Sequence, residues 1–68
     1  MPDQNFIKLD SFMKWQNMID SGGQAKVVIQ NGEVKVNGKN ETRRGRKLIE
    51  GDKVTYNGQT IVVKLDDN

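Results

Sequence analysis

The stretch SGGQAKVVIQNGEVKVNG, residues 21–38, changes from helical to strand periodicity at its middle. Ser21 and Gln24 have the spacing of a capping box, in which the serine hydroxyl accepts the backbone N–H three residues on and the glutamine reaches back. Beyond them apolar residues recur at helical spacing, and Asn31-Gly32 supplies a left-handed stop. The first half therefore predicts a helix with a short apolar face, made of Ala25, Val28 and Ile29.

The second half of this stretch predicts a hairpin. Val34 and Val36 alternate with polar residues, and Asn37-Gly38 is typical of the tight primed turns that join antiparallel strands. The signal recurs at Asn57-Gly58, which lies between two more apolar runs. Residues 48–49 are also apolar, and residues 50–52 read as a turn. We therefore expect four or five short, mainly antiparallel strands.

A first helix is predicted upstream, from about Asp10 to Ile19, with Asp10 at its capped start. Its apolar residues form one stripe at helical spacing, which predicts that they face the core. Only a few residues separate this helix from the next, so the two form a helical hairpin. Two helices followed by short strands indicate an α+β fold in one domain, residues 1–68. The stripe consists of Leu9, Phe12, Trp15 and Ile19, with Met13 at its margin.

The composition excludes most catalytic machinery. The chain has 68 residues and contains no cysteine or histidine, so nucleophilic triads, histidine bases and thiolate metal sites cannot be built. Its nine acidic residues are scattered over caps, turns and the tail. No apolar run approaches the roughly 20 residues of a membrane span. We expect a cytoplasmic binding protein with no enzymatic activity, cofactor or metal.

Positive charge is concentrated in the middle of the chain. Residues 26–47 hold seven basic residues against Glu33 and Glu41, a local charge of +5; since the net charge is +2, the rest of the chain carries −3. Arg43, Arg44, Arg46 and Lys47 lie within residues 43–47, called here the arginine loop. Guanidinium groups bind phosphate through paired hydrogen bonds, so this cluster suits a phosphate backbone. An ordinary solvated run of charge is the alternative.

The order of residues around this loop resembles the S-four-type RNA-binding domain, the module named for ribosomal small-subunit protein four, and in particular its small stand-alone bacterial forms. The resemblance covers residues 8–56, and its most specific part is residues 21–38. It rests on Leu9-Asp10, Phe12, Ser21-Gly22-Gly23-Gln24-Ala25, Ile29, Gly32, Val34, Val36-Asn37-Gly38, Gly51-Asp52 and Val54.

The resemblance implies an alpha-L RNA-binding motif, a helical hairpin packed on a small twisted sheet, which binds structured ribosomal or transfer RNA. Many members carry arginine after the serine, where this chain has Gly22-Gly23, so the arginine loop is expected to substitute for that contact. Independently, the free N–H groups and positive dipole at the start of the second helix favour an anion. Gly22 is added as a contact because a glycine in the first turn lets a phosphate backbone approach closely. The RNA-contacting positions carried over from the resemblance are Ser21, Gln24, Lys26, Asn37, Lys39, Arg43, Arg44, Arg46 and Lys47.

Several of these residues have a purely structural alternative. Ser21 and Gln24 could serve only as caps, and Asn37 could serve only to tolerate positive φ in its turn. Trp15 suits base stacking, but its place on the apolar stripe predicts a core residue. A monomer acting alone or with an RNA-modifying enzyme or ribonucleoprotein is expected. The rival function is a protein-interaction adaptor that uses its basic surface and either an edge strand or exposed Val27 and Met18.

Overall fold

The computed structural model describes residues 6–65, which form two helices and six short strands. This confirms the predicted α+β class. The strands outnumber the four or five expected because two of them, each two residues long, pair with each other outside the main sheet. In chain order the elements are β1 (Ile7–Lys8), α1 (Leu9–Trp15), α2 (Gly22–Gln30), β2 (Val34–Val36), β3 (Lys39–Asn40), β4 (Lys47–Leu48), β5 (Lys53–Tyr56) and β6 (Gln59–Val62).

The main sheet has the order β3-β2-β5-β6, and all its neighbouring strands are antiparallel. Both predicted hairpins are present. Asn37 and Gly38 have φ angles of 54° and 84°, and Asn57 and Gly58 have 55° and 79°. Two successive residues at positive φ define the primed turn whose twist matches the flanking strands. The smaller sheet pairs β1 with β4.

Helix α2 begins and ends as the sequence predicts. Ser21 is the N-cap residue, and its hydroxyl accepts the backbone N–H of Gln24 at 3.3 Å. At the other end Gly32 adopts a φ of 78°, and the Glu33 N–H donates to the Val28 carbonyl at 3.0 Å. This six-to-one hydrogen bond past a left-handed glycine is a Schellman ending.

Helix α1 is shorter than predicted, because it stops at Trp15 instead of continuing to Ile19. Asn17 adopts a left-handed φ of 59°, and the Met18 N–H donates to the Met13 carbonyl at 2.9 Å. This is again a Schellman ending, with asparagine in the position that glycine usually occupies. The apolar stripe is therefore interrupted one turn before Ile19.

The apolar residues that enter the core differ from the predicted stripe, because Trp15 lies about 60° beyond Phe12 and about 160° from Met13 around the helix. Trp15, predicted to be buried, is 62% exposed, whereas Met13, placed at the margin of the stripe, is fully buried. Ile19 is buried from the segment between the helices. The expectation of a core tryptophan was wrong. The buried apolar residues are Leu9, Phe12, Met13, Ile19, Ala25, Val28, Ile29, Val34, Val36, Leu48, Val54 and Val63.

Neither helix of the described part is long and apolar enough to cross a lipid bilayer.

Candidate nucleic-acid interface

The backbone of the arginine loop caps the start of α1. The residue at the N-cap, Lys8, provides no side-chain cap, and Asp10, predicted to lie at the capped start, lies within the first turn. Instead the Leu9 N–H donates to the Arg46 carbonyl at 2.8 Å, and the Asp10 N–H donates to the Arg44 carbonyl at 3.3 Å. Free N–H groups of a first helical turn need such acceptors. The loop is thereby attached to the helix through its main chain.

A buried carboxylate holds two of the arginine side chains. Glu41 is only 7% exposed. Its Oε2 accepts hydrogen bonds from the backbone N–H and the Nε–H of Arg43, at 3.0 and 3.1 Å, and its Oε1 accepts one from a terminal nitrogen of Arg46 at 2.9 Å. Both carboxylate oxygens are therefore occupied. The arrangement fixes the directions of the two guanidinium groups relative to each other.

This environment favours the charged form of Glu41. The hydrogen bond from the Arg43 side chain is the largest influence, and it outweighs the opposing effect of burial, so the pKa of Glu41 falls from 4.5 to about 2. The same contact raises the pKa of Arg43. Arg43 nevertheless remains largely in solvent, with 75% of its side chain exposed, because Glu41 engages its Nε and leaves the terminal nitrogens outward.

The other two cations of the loop also have partners. Arg44 lies 3.8 Å from the carboxylate of Asp10, which connects the loop to the first turn of α1. The ammonium of Lys47 lies 5.0 Å from the centre of the Phe6 ring, a cation–π distance. An open concavity of about 540 Å³ is lined by Arg43, Gly45, Arg46 and Lys47. Two carboxylates therefore balance two of the loop's four positive charges, while three of its cations surround this concavity.

The start of α2 has a different construction. Ser21 and Gln24 cap it as predicted, except that Gln24 Oε1 accepts the N–H of Asp20, at 2.7 Å, one residue before the position that a capping box requires. A side chain added at Gly22 would meet nothing within 4 Å. Gly22 and Lys26 are both exposed. This helix start is open to a large ligand.

The β2–β3 hairpin carries the remaining two predicted residues. Asn37 uses its whole side chain within the protein: its Nδ2 donates to Asp52 at 3.1 Å, and its Oδ1 accepts the Lys53 N–H at 3.0 Å. These bonds attach the turn to the start of β5. Lys39 is exposed beside it. The structure thus gives Asn37 an architectural role, and leaves Lys39 accessible to a ligand.

The structure brings the arginine loop together but gives it no hydrogen bond or ion pair to the start of α2. Among residues 6–65, the hydrogen bonds and ion pairs of the loop reach α1, β1 and Glu41, and none reaches residues 21–26. The sequence interpretation counted Glu41 only as an opposing charge and missed its role. Its spacing of two residues from Arg43 and five from Arg46 was the available signal.

Comparison with known proteins identifies the architecture. Residues 2–64 match the family model described as the S4 domain. The chain is 37% identical over 57 residues to YbcJ of Escherichia coli (strain K12), which covers 84% of this chain and 81% of YbcJ. It is also 45% identical over 56 residues to a protein of Bacillus subtilis (strain 168) named as the probable ribosome maturation protein RlbA. That match covers 82% of this chain and 79% of RlbA.

A solved structure agrees in fold. The solution structure of YbcJ superimposes with a TM-score of 0.66 and 32% identity, covering 91% of this chain and 78% of YbcJ, and is described as revealing an alpha-L motif involved in RNA binding. The helical hairpin, the antiparallel sheet and the sequence match agree with one another. The chain belongs to the S4 domain family.

Proposed function

We propose that this chain is a non-catalytic RNA-binding module that recognises structured RNA, ribosomal or transfer, mainly through its arginine loop. The family supports RNA as the ligand, since YbcJ is described by a motif involved in RNA binding. The name of RlbA, probable ribosome maturation protein, favours ribosomal RNA.

The observation that carries the proposal is the preorganisation of the arginine loop. Glu41 orients Arg43 and Arg46, and the main chain of the loop is fixed to α1. Arginines held in this way lose little side-chain entropy when phosphate binds, and their unused N–H groups remain donors. Contacts of this kind recognise the shape and backbone of a folded RNA more than the identity of its bases.

The start of α2 and the β2–β3 hairpin supply the secondary contacts in this proposal. At α2, exposed Ser21, Gly22 and Lys26 flank a helix N-terminus, where backbone N–H groups and the helix dipole favour phosphate. Gln24, half-buried and engaged with Asp20, acts mainly as a cap. On the hairpin Lys39 offers a further cation, while Asn37 contributes by holding the turn.

A double variant, Arg43→Gln with Lys47→Gln, tests the arginine loop and leaves the bond between Glu41 and Arg46 in place. We expect affinity for an RNA stem-loop and for a transfer RNA pool to fall about 10- to 100-fold, measured by fluorescence anisotropy. Lys53→Gln with Lys64→Gln removes the same charge from exposed positions elsewhere and is the matched control. Circular dichroism checks that each variant is folded. Equal losses of RNA affinity in the two double variants would show that the arginine loop is not the main RNA-binding surface.

The salt dependence of binding adds a second readout. If four to six phosphates are neutralised, the logarithm of the affinity falls against the logarithm of salt concentration with a slope of about −3 to −5. Removing two phosphate contacts makes that slope shallower by about 2. An unchanged slope in the Arg43→Gln, Lys47→Gln variant would show that these side chains contact no phosphate.

The rival function, a protein-interaction adaptor, has weaker support. Of the two apolar residues expected to be exposed, Val27 is 56% exposed but Met18 packs partly against the core. β6 is an edge of the main sheet and keeps the unpaired backbone groups that such a partner would use. A pull-down whose protein partners persist after nuclease treatment would favour this rival over RNA binding.

A further inference from the structure

Trp15 is the most exposed of the large apolar side chains of the described residues, at 62%. Exposing most of an indole to water is unfavourable, and tryptophan is usually highly buried in a folded domain. The core is filled without it, because Leu9, Phe12 and Met13 of the same helix are fully buried. The exposed indole is therefore free to contact a ligand.

The helix that carries Trp15 also meets the arginine loop. Along α1, the side chains of Ser11, Lys14 and Trp15 are exposed, opposite the buried Leu9, Phe12 and Met13. At the first turn of the same helix Arg44 reaches Asp10. Asp10 and Trp15 are five residues apart, which is about 7.5 Å along a helix axis and about 140° around it. The arginine loop therefore lies at the first turn of α1, and the indole lies at the last turn with Lys14 as its exposed neighbour in the chain.

We infer that Trp15 is a stacking platform for an unpaired base of the RNA whose backbone the arginine loop binds. This inference rests on the proposed function. Folded RNA presents unstacked bases in loops and bulges, and aromatic side chains next to cations receive them. Lys14, the exposed neighbour of Trp15 in the chain, supplies one cation, and the arginine loop attached to the first turn of α1 supplies the others. These positive charges favour a nucleic acid over a basic or neutral protein partner.

The single tryptophan of the chain makes the inference directly measurable. Titration with a stem-loop RNA that has unpaired loop bases should quench the fluorescence of Trp15, and the quench should saturate at the same RNA concentration as anisotropy binding. A fully paired duplex of equal length should bind through its phosphates and leave the fluorescence nearly unchanged. An equal quench by both RNAs would overturn base stacking.

Substitutions give the energetic test. Trp15→Ala should weaken binding to the stem-loop about 5- to 50-fold, because stacking on an aromatic side chain contributes on this scale, and should change duplex binding less than about 2-fold. Trp15→Phe keeps a ring and should stay within about 3-fold of the unaltered chain. Val62→Ala, at an exposed apolar position on β6, is the control and should have no effect.

The outcomes separate this inference from the proposed function. If Trp15→Ala binds the stem-loop as tightly as the unaltered chain while the Arg43→Gln, Lys47→Gln variant binds weakly, the inference is wrong and the proposed function stands. If the unaltered chain binds neither RNA, both are wrong. A folded Trp15→Ala variant with selective loss for the stem-loop supports both.

Discussion

The arginine loop and the start of α2 are both suited to an anion, but they are built in opposite ways. The loop carries four cations, and its arginines face carboxylates: Glu41 for two of them and Asp10 for the third. The start of α2 carries no acidic residue in its first turn and has open space at Gly22. In the loop, the carboxylates lower the net positive charge but fix the geometry of the arginines. The start of α2 instead offers backbone N–H groups in a more open setting.

The difference teaches that a cationic cluster can depend on the carboxylate inside it. A simple count of charge treats Glu41 as a loss of attraction for RNA. The geometry indicates the reverse, since Glu41 orients the two guanidinium groups that would otherwise sample many rotamers. The two interpretations require opposite changes in RNA affinity when the charge of Glu41 is removed.

The largest effect is expected for Glu41→Gln. The variant leaves Arg46, whose side chain is one-third exposed, with a weaker partner. We expect a loss of about 1–3 kcal/mol of unfolding free energy. In a domain of this size that corresponds to a melting temperature lower by roughly 5–15 °C, measured by circular dichroism.

The same variant should bind RNA about 3- to 10-fold more weakly, although it has lost one negative charge, because its arginines are no longer held in place. Glu33→Gln is the matched control. Glu33 is exposed and has no arginine partner within residues 6–65, so its neutral variant should bind RNA slightly more tightly. Tighter binding by both variants would show that Glu41 acts only through its charge.

The second prediction concerns pH. Because the pKa of Glu41 is about 2 in the folded chain and 4.5 ordinarily, the unfolded state takes up a proton at higher pH than the folded state does. The stabilisation is therefore fully present above about pH 4.5 and is lost as the pH falls toward 2. The difference in urea midpoint between the unaltered chain and Glu41→Gln should shrink over this window. A difference in urea midpoint that stays constant over this pH window would contradict the prediction.

A third prediction compares the two Asn-Gly turns. Asn37→Gly and Asn57→Gly both keep the positive φ. Asn37→Gly also removes two side-chain hydrogen bonds to the start of β5. We expect Asn37→Gly to be less stable than Asn57→Gly by about 1 kcal/mol in urea unfolding. RNA affinity of folded Asn37→Gly should stay within about 2-fold of the unaltered chain if the role of Asn37 is structural. A larger selective loss would make Asn37 a contact residue.

The smallest effect is expected from adding arginines to the two regions. Gly22 and Gly45 both have space for a side chain and neither has positive φ. Gly22→Arg adds a flexible cation at an open helix start and should tighten RNA binding about 2- to 5-fold, with a salt slope steeper by about 1. Gly45→Arg crowds the concavity lined by the loop and should not improve binding. The reverse order of affinities would contradict the proposed division of roles.

Local signals were sufficient to predict much of the fold. Asn37-Gly38 and Asn57-Gly58 predict their turns because few other residue pairs adopt two successive positive φ angles. Helix α2 was equally clear, with Ser21 at one end and Gly32 at the other. These features depend on residues that are adjacent in the chain.

The features that sequence reasoning missed are of two kinds, local features with a weak signal and contacts between distant segments. Asn17 ends α1 although its neighbours have helical periodicity, and Trp15 is exposed although it continues an apolar stripe. The cap of α1 comes from the carbonyls of Arg44 and Arg46, more than thirty residues downstream. The contacts of Glu41 are local, since its partners Arg43 and Arg46 lie two and five residues away. The basic residues of the candidate site were identifiable from charge, but their mutual orientation was not.

The most direct test of the central claim is an NMR titration with the RNA stem-loop that follows backbone amides together with arginine Nε–H signals. The account predicts the largest changes at the Nε–H and amide signals of Arg43, Arg44 and Arg46, with smaller ones at residues 21–26, all reduced at high salt. Changes confined to the β5–β6 hairpin, with the arginine signals unmoved at saturating RNA, would contradict it.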